Sequence, residues 1–423
     1  MLLLSRLITI TMALLGAPLF VVIGALALLA FHSISVDLSV VTIEMSRLAD
    51  TPVLLSLPLF IFAGTLLSES GAPRRMLALS DAMLGWLPGG LAVIALLVCA
   101  VFTAFTGASG ITIIAMGGLL FPALLKDGYP ERFSLGLITT SGSLGLLFPP
   151  SLPLIIYGVI AEVSIDKLFL AGIIPGIVML LLLSGYCLII SRNTKRKEYR
   201  FSWQKTRLAL REAVWEIPLP FLILGGIYGG FFVASEAAAV TALYVLIVEI
   251  LIYRDLDLGS LRRVMVRSMV LFGGILMILA VSRASTNFLV DQEVPTKLFE
   301  LIKDHVTSKY TFLLILNLFL LLVGVMMDIF SALVLVVPLI LPIATHYGVN
   351  PVHLGIIFLT NLQIGYSMPP MGIDLFLASY CFKKPIMVLY RACLPFLVIL
   401  LVTVGIITYY PQLSLGLAEL LGK

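Results

Sequence analysis

The sequence predicts an all-α polytopic membrane protein, arranged as an inverted-topology repeat with two re-entrant hairpins and two broken helices. Three observations carry this expectation. Hydrophobic residues make up 60% of the 423-residue chain and charged residues only 12%, against about 25% charge in a soluble domain. The apolar stretch from Thr103 to Gly158 is interrupted by Gly107-Ala108-Ser109-Gly110, by Lys126-Asp127-Gly128 and by Pro149-Pro150. The same pattern returns displaced by 220 positions: Pro122 is answered by Pro342, Gly128 by Gly348, Gly145 by Gly365 and Pro150 by Pro370 (342 less 122, 370 less 150).

A helix interruption facing lipid strands backbone N–H and C=O groups, so breaks at membrane depth persist only where protein or a water-filled cavity satisfies them. A single register for the whole set is the signature of an internal repeat. The composition also excludes several classes. Cys99, Cys187, Cys381 and Cys393 lie in apolar runs without ligand spacing and read as packing residues. The four histidines form no HExxH pair, and neither GxSxG nor GxxxxGK[ST] occurs, so nothing points to an enzyme. A net charge of +4 gives no reason to expect nucleic acid as a partner.

Taken in order, Leu7 to Phe31 is long enough for a first span, and no small-residue cleavage site follows to make it a signal peptide. A polar link through Asp37, Glu44, Arg47 and Asp50 leads to a second span, Thr51 to Ser70. Arg74, Arg75 and the amphipathic run to Trp86 predict a helix along the interface. Residues 90–125 form the first hairpin, 133–161 the first broken helix, and Leu168 to Ile190 a whole span. Together residues 1–191 are the first repeat. Residues 192–216 are a linker with eight Lys and Arg between Arg192 and Arg211, a block that the positive-inside rule fixes in the cytoplasm. The second repeat, 217–423, has spans at Ile217–Val233 and Ala237–Tyr253, a basic link from Arg254 to Arg267, and a span ending near Ser285. After a stretch of mixed charge, 291–309, come the second hairpin at 311–344, the second broken helix at 352–382, and a closing span from Pro385 to Tyr410.

Charge tests this layout. With the linker inside, alternate crossings put Arg6, Arg74, Arg75, Lys126, Arg132, Lys383 and Lys384 inside too. The links at 32–50, 162–167, 291–309 and 346–353 fall outside, and none carries excess positive charge. Five spans separate the starts of the two broken helices. Five is odd, so the copies are expected to face opposite ways, which is how secondary transporters with midplane sites are built.

Each break exposes free N–H groups from one half-helix and free C=O groups from the other. Carbonyl and hydroxyl oxygens suit a hard cation, while N–H groups at a positive helix end suit a carboxylate. The first copy offers Ser109, Gly110 and Thr112 at its hairpin, then Thr140, Ser141, Ser143 and Gly145. The second offers Asp328 and Ser331 at its hairpin, then Asn361, Gln363, Gly365 and Ser367. Two related cation sites around one substrate position follow. Competing roles stand beside these: a hydroxyl can bond back to its own helix, Asp328 can simply cap a helix, and Asp374 and Arg283 can be a structural ion pair or a snorkelling side chain.

Three stretches carry a family resemblance: GYPERFSLGLITTSGSLGLLFPPSLPLIIYG with KLFLAGIIPG, GGFFVASEAAAVTALYVLIVEILIYR, and MMDIFSALVLVVPLILPIATHYGVNPVHLGIIFLTNLQIGYSMPPMGIDLF. They resemble the large membrane subunit of tripartite ATP-independent periplasmic (TRAP) transporters, and the resemblance covers essentially the whole chain. It implies a sodium-coupled, elevator-type importer of organic acids in the bacterial inner membrane, with sodium as co-transported ion and no prosthetic group. The implied partners are a small four-span membrane subunit and a periplasmic solute-binding protein. Because the chain starts at its own first span, the small subunit is expected as a separate polypeptide. Carried onto this sequence, the resemblance assigns sodium to Gly107, Ala108, Thr112, Gly145, Pro149, Met327, Gly365 and Met368. It assigns substrate to Ser109, Gly110, Ser141, Ser143, Asp328, Ser331, Asn361 and Gln363. The chain departs from the family at Met368, commonly Thr, and at Asp374, usually Asn. A stand-alone sodium:carboxylate symporter of related inverted-repeat architecture is the alternative, and needs no periplasmic partner.

Overall fold

The computed structural model describes residues 8, 9, 11, 12, 15–87, 89–192, 202–303 and 306–421. Among them every regular element is helical. Arg6, part of the expected first span and four of the eight linker Lys and Arg (Lys195, Arg196, Lys197 and Arg200) lie outside the described residues.

Helices α1 (Leu19–Ser33), α2 (Ser39–Ala49) and α3 (Ser56–Glu69) lead through α4 (Ala72–Leu84) to a hairpin of α5 (Gly90–Thr106) and α6 (Ser109–Lys126). The first broken helix is α7 (Glu131–Ser141), a 3-10 turn (Leu144–Leu147) and α8 (Leu152–Ala161), followed by α9 (Ile165–Arg192). Then come α10 (Trp203–Glu212), α11 (Pro218–Tyr228), α12 (Ala234–Leu246), α13 (Leu258–Asp291) and α14 (Val294–Lys303). The second hairpin is α15 (Lys309–Met326) with α16 (Ile329–His346), and the second broken helix is α17 (Pro351–Gly365) with α18 (Ile373–Phe382). Helices α19 (Ile386–Tyr409) and α20 (Gln412–Leu421) close the chain. Among the described residues seven helices are long and apolar enough to cross a membrane, or eight if α7 and α8, bent by 43° at their break, count as one.

Local chemistry explains where the helices stop. Gly89 and Gly107 flank α5 in the left-handed region, at φ +81° and +64°, which glycine adopts without the cost a side chain would bring. Asn350 accepts the Val352 N–H at 2.8 Å to start α17, and Pro351 sits where its missing N–H loses nothing. The repeat reappears in the helix ends. Both ends of α6 and α16 differ by 220 (329 less 109, 346 less 126), as do the starts of α7 and α17 (351 less 131). Pro149-Pro150 and Pro369-Pro370 are both cis.

Two packed groups result. Helix α13 lies against α1, α2 and α3, and α12 against α3. In the other group the copies cross over: α6 of the first hairpin packs on α18, and α16 of the second packs on α8. Contacts of α3 with α5 and of α13 with α16 join the groups.

The structure corrects several sequence expectations. The basic link before the Ser285 span is helical from Leu258 onward, so Arg262, Arg263 and Arg267 belong to the 34-residue α13. Asp257 starts it by accepting the Ser260 N–H at 3.0 Å, and at ~1.5 Å per residue the helix outreaches a ~30 Å hydrocarbon core. Helices α2, α14 and α20 occupy stretches read as links or left unread; each is short, and the polarity of α2 and α14 hides an amphipathic face. The hairpin arms, 17 and 18 residues in the first copy and 18 each in the second, exceed half-crossings.

Arg75 of α4, read as one more interfacial cation, is instead the centre of a charge cluster. It pairs with Glu216, Asp255 and Glu249, the last at 2.9 Å, and its guanidinium lies 3.7 Å over the Tyr253 ring. Burial alone would lower its pKa, but the hydrogen bonds with Asp255 and Glu216 outweigh that and hold it above the usual value. The node ties the interfacial helix to the π-helical turn Ile247–Ile252 that continues α12, across more than 170 residues of sequence.

Candidate functional site

The first hairpin turns in two residues. Gly107 donates its N–H to Thr103 at 2.8 Å, and a Cβ there would lie 2.5 Å from Leu152 at the head of α8. The tip is therefore lodged at the break of its own broken helix, not at the end of a span. Thr103 Oγ1 donates to the Gly142 carbonyl at 2.7 Å and meets Thr112 Oγ1 at 2.7 Å. Ser109, the first residue of α6, donates to Asp374 Oδ1 at 2.6 Å. That bond spans the two copies.

The second tip is organised by Asp328. Its Oδ2 accepts the N–H groups of Phe330 (3.0 Å) and Ser331 (3.1 Å), and its Oδ1 accepts from Ser331 Oγ. Tyr366, in the break after α17, lies within electrostatic reach of both Asp328 and Asp374. Both hairpin tips thus converge on the second broken helix.

The breaks themselves touch. Ser143 Oγ donates to the Gln363 carbonyl at 3.2 Å, a contact between positions 220 apart (363 less 143), and so between counterparts. Each break is clamped by the first arm of its own hairpin. A Cβ on Gly145 would lie 2.1 Å from the Ala100 carbonyl, and one on Gly365 would lie 2.6 Å from the Gly324 backbone. Only glycine allows that approach.

Other assigned residues take local roles. Ser141 and Thr140 bond back to Ile138 and Gly136 of α7, at 3.2 and 2.7 Å. The Asn361 amide donates to Asn317 Oδ1 at 2.6 Å, where Thr408 also donates, and the Gln363 amide turns to Met179 at 3.0 Å. Those two amide nitrogens therefore point into helix contacts with α15 and α9, while Asn361 Oδ1 and Gln363 Oε1 are buried without a hydrogen-bond partner. Gly110 packs on Leu377 of α18, and Met327 donates its N–H to Val323 at 2.9 Å. Pro149 lines an apolar groove of about 320 Å³ with Phe148 and Ile177. Arg283 stands apart. It is 3.8 Å from Glu44 and borders a cleft of about 560 Å³ with Thr51, Glu162 and Ser235.

Four of the residues assigned to sodium present main-chain oxygens at the breaks. The carbonyls of Ala108, Gly145, Gly365 and Met368 each accept a backbone hydrogen bond, and a carbonyl has a second lone pair to offer. Buried side-chain atoms without a hydrogen-bond partner collect at the same breaks: Thr106 Oγ1, Ser151 Oγ, Ser367 Oγ and Asp374 Oδ2. Orphaned buried polar atoms are rare in folded proteins and call for an explanation. Among the described residues no three His, Cys, Asp or Glu side chains cluster as they would around a transition metal. Sequence reasoning missed Thr103, Asn317 and Tyr366; a lone amide in an otherwise apolar arm was the one signal available for Asn317.

The tips differ in setting. Thr106 and Ser151 are buried, whereas their counterparts Met326 and Met371 are 69% and 61% exposed.

Comparison with known proteins adds the following. The family model described as "Tripartite ATP-independent periplasmic transporter, DctM component" matches residues 1–413. The C4-dicarboxylate TRAP transporter large permease protein DctM of Pseudomonas aeruginosa is 35% identical over 94% of this chain and 93% of its own. The isethionate TRAP transporter permease protein DctMQ of Oleidesulfovibrio alaskensis is 36% identical over 95% of this chain, which spans 64% of that longer protein. Among solved structures, the Alcanivorax borkumensis YdaH transporter matches with a TM-score of 0.65 at 15% identity, covering 98% of this chain and 99% of that one; this likeness concerns the fold alone.

Proposed function

Because this chain belongs to the DctM-component family of TRAP transporters, we propose that its convergent tips and breaks carry an organic acid across the inner membrane with sodium. The observation that carries this reading is the meeting of four helix interruptions, in one 220-residue register, around orphaned buried oxygens. In the proposed mechanism the two copies face opposite ways, and the hairpin group moves against the α1–α3 and α12–α13 group as an elevator. Sodium is held by the carbonyls of Ala108, Gly145, Gly365 and Met368, and the substrate carboxylate is met by the N–H groups opening α6, those of α16 being capped by Asp328. A small membrane subunit and a periplasmic binding protein complete the system. Relatives described as handling C4-dicarboxylates, isethionate and ectoine set the panel of candidate substrates.

Energetics favour cation coupling. An inside-negative potential of ~100 mV opposes each inward negative charge by about 2.3 kcal/mol, so a dianion needs two sodium ions merely to cancel its electrical cost. Uptake of the panel into proteoliposomes holding this chain, its small subunit and its binding protein is expected to require an inward sodium gradient. Uptake by this chain alone would favour the stand-alone symporter, and uptake indifferent to sodium would overturn the coupling.

A further inference from the structure

Asp374 is buried on every side, with 0% of the residue exposed. One carboxylate oxygen accepts from Ser109, and the other, Oδ2, has no partner. Among the described residues no Lys, Arg or His forms an ion pair with it. The titratable groups that sense it are Tyr366 and Cys393, neither of which supplies a positive charge. The N-terminal ends of α6 and α18 lend partial charge but put no bonded atom on Oδ2. A carboxyl in such a place needs either a proton or a positive partner, and a carboxylate beside a hydroxyl is a hard-oxygen pair that suits a cation.

We propose that Asp374 Oδ2 and Ser109 Oγ are ligands of a sodium site straddling the two copies, where the first hairpin tip meets the second broken helix. The site exists once. The counterparts of Ser109 and Asp374 are Ile329 and Leu154 (329 less 109, 374 less 154), both buried and apolar. It therefore adds a cation to the pair that the repeat supplies, and supplies the positive charge that a dianion and two sodium ions lack. This rests on the sodium-coupled reading above.

The test is thermal unfolding of the purified protein with its small subunit, titrated with NaCl at constant ionic strength against choline chloride. Asp374→Asn keeps the shape and removes the charge. It is expected to raise the sodium half-saturation by about tenfold or more, the scale seen when even an outer-shell partner of a metal is lost, and to lower the steepness of the curve. A curve superimposable on wild type overturns the site. A wild type stabilised by low pH without sodium, to the extent that sodium stabilises it, also overturns the site, because the carboxyl then takes a proton. If wild type ignores sodium altogether, the coupling falls with it; if wild type responds and the variant responds equally, only this assignment falls. Should Asp374→Asn not fold, Ser109→Ala serves instead: a raised half-saturation supports the site and an unchanged one overturns it.

Discussion

Asp328 decides what the second tip is for. Three hydrogen bonds already reach its carboxylate, from the N–H groups of Phe330 and Ser331 and from Ser331 Oγ, out of about four acceptor positions available. The group is holding the first turn of α16. Asp328→Ala removes the cap, a loss of about 1 kcal/mol, which raises the population of the opened tip by about fivefold. Asp328→Asn keeps a cap acceptor of the same rank and is expected to restore the tip almost fully. Amide hydrogen exchange over residues 327–332, measured beside a sodium titration, separates the two roles. Exchange should quicken by about fivefold in the alanine variant and stay near wild type in the asparagine variant, with sodium response following exchange rather than charge. An asparagine variant that restores slow exchange yet loses its sodium response as badly as alanine would show the carboxylate acting as a ligand, and would refute the capping role.

Three further outcomes follow from packing. Gly145→Ala drives a Cβ into backbone atoms of α5, and a cost above about 4 kcal/mol should leave no monodisperse protein on size exclusion. Gly118→Ala, with nothing within 4 Å, should be neutral or gain up to about 1 kcal/mol; similar behaviour of the two variants would discard the close approach. Arg75→Gln leaves Glu216 and Glu249 buried and uncompensated, at about 3–5 kcal/mol, and thermal unfolding should show partial recovery when Glu249→Gln is added. Asn317→Leu alone leaves one of the two Asn361 amide N–H groups without its partner, the other keeping the Ile357 carbonyl, at about 1–3 kcal/mol, whereas Asn317→Leu with Asn361→Leu should unfold near wild type and keep its sodium response. A lost sodium response in that stable double variant would show Asn361 Oδ1, buried without a partner, to be a ligand.

Features encoded within a few residues were legible in the sequence. Gly107 permits a left-handed turn, and the two Pro-Pro pairs cannot continue a helix, so the hairpin tips and breaks fall where they were expected. Contacts between distant segments were not. The Ser109–Asp374 bond joins residues 265 apart and the Arg75–Glu249 pair residues 174 apart, and no local pattern encodes such a meeting. Hydroxyls were ambiguous for another reason. Thr140 and Thr112 carry the same group, but one bonds to its own helix and the other to a neighbouring arm, and only the surrounding packing chooses. Charge misled at α13, where Arg262, Arg263 and Arg267 mark the end of the apolar run but not the end of the helix. An arginine can extend its stem along the helix and keep its head in water.

If the chain alternates between two states as proposed, the unequal settings of its two tips bear on what drives it between them. With helix ends matched at one interval, exchanging the settings of Thr106 and Met326, or of Ser151 and Met371, describes the same chain unlatched at its other end. The alternative state is then a relabelling, not a new architecture. Two such states would be equal in energy if the halves were identical. In that mechanism the resting bias would reside in the positions where the halves have diverged, beginning with a hydroxyl whose counterpart is a thioether.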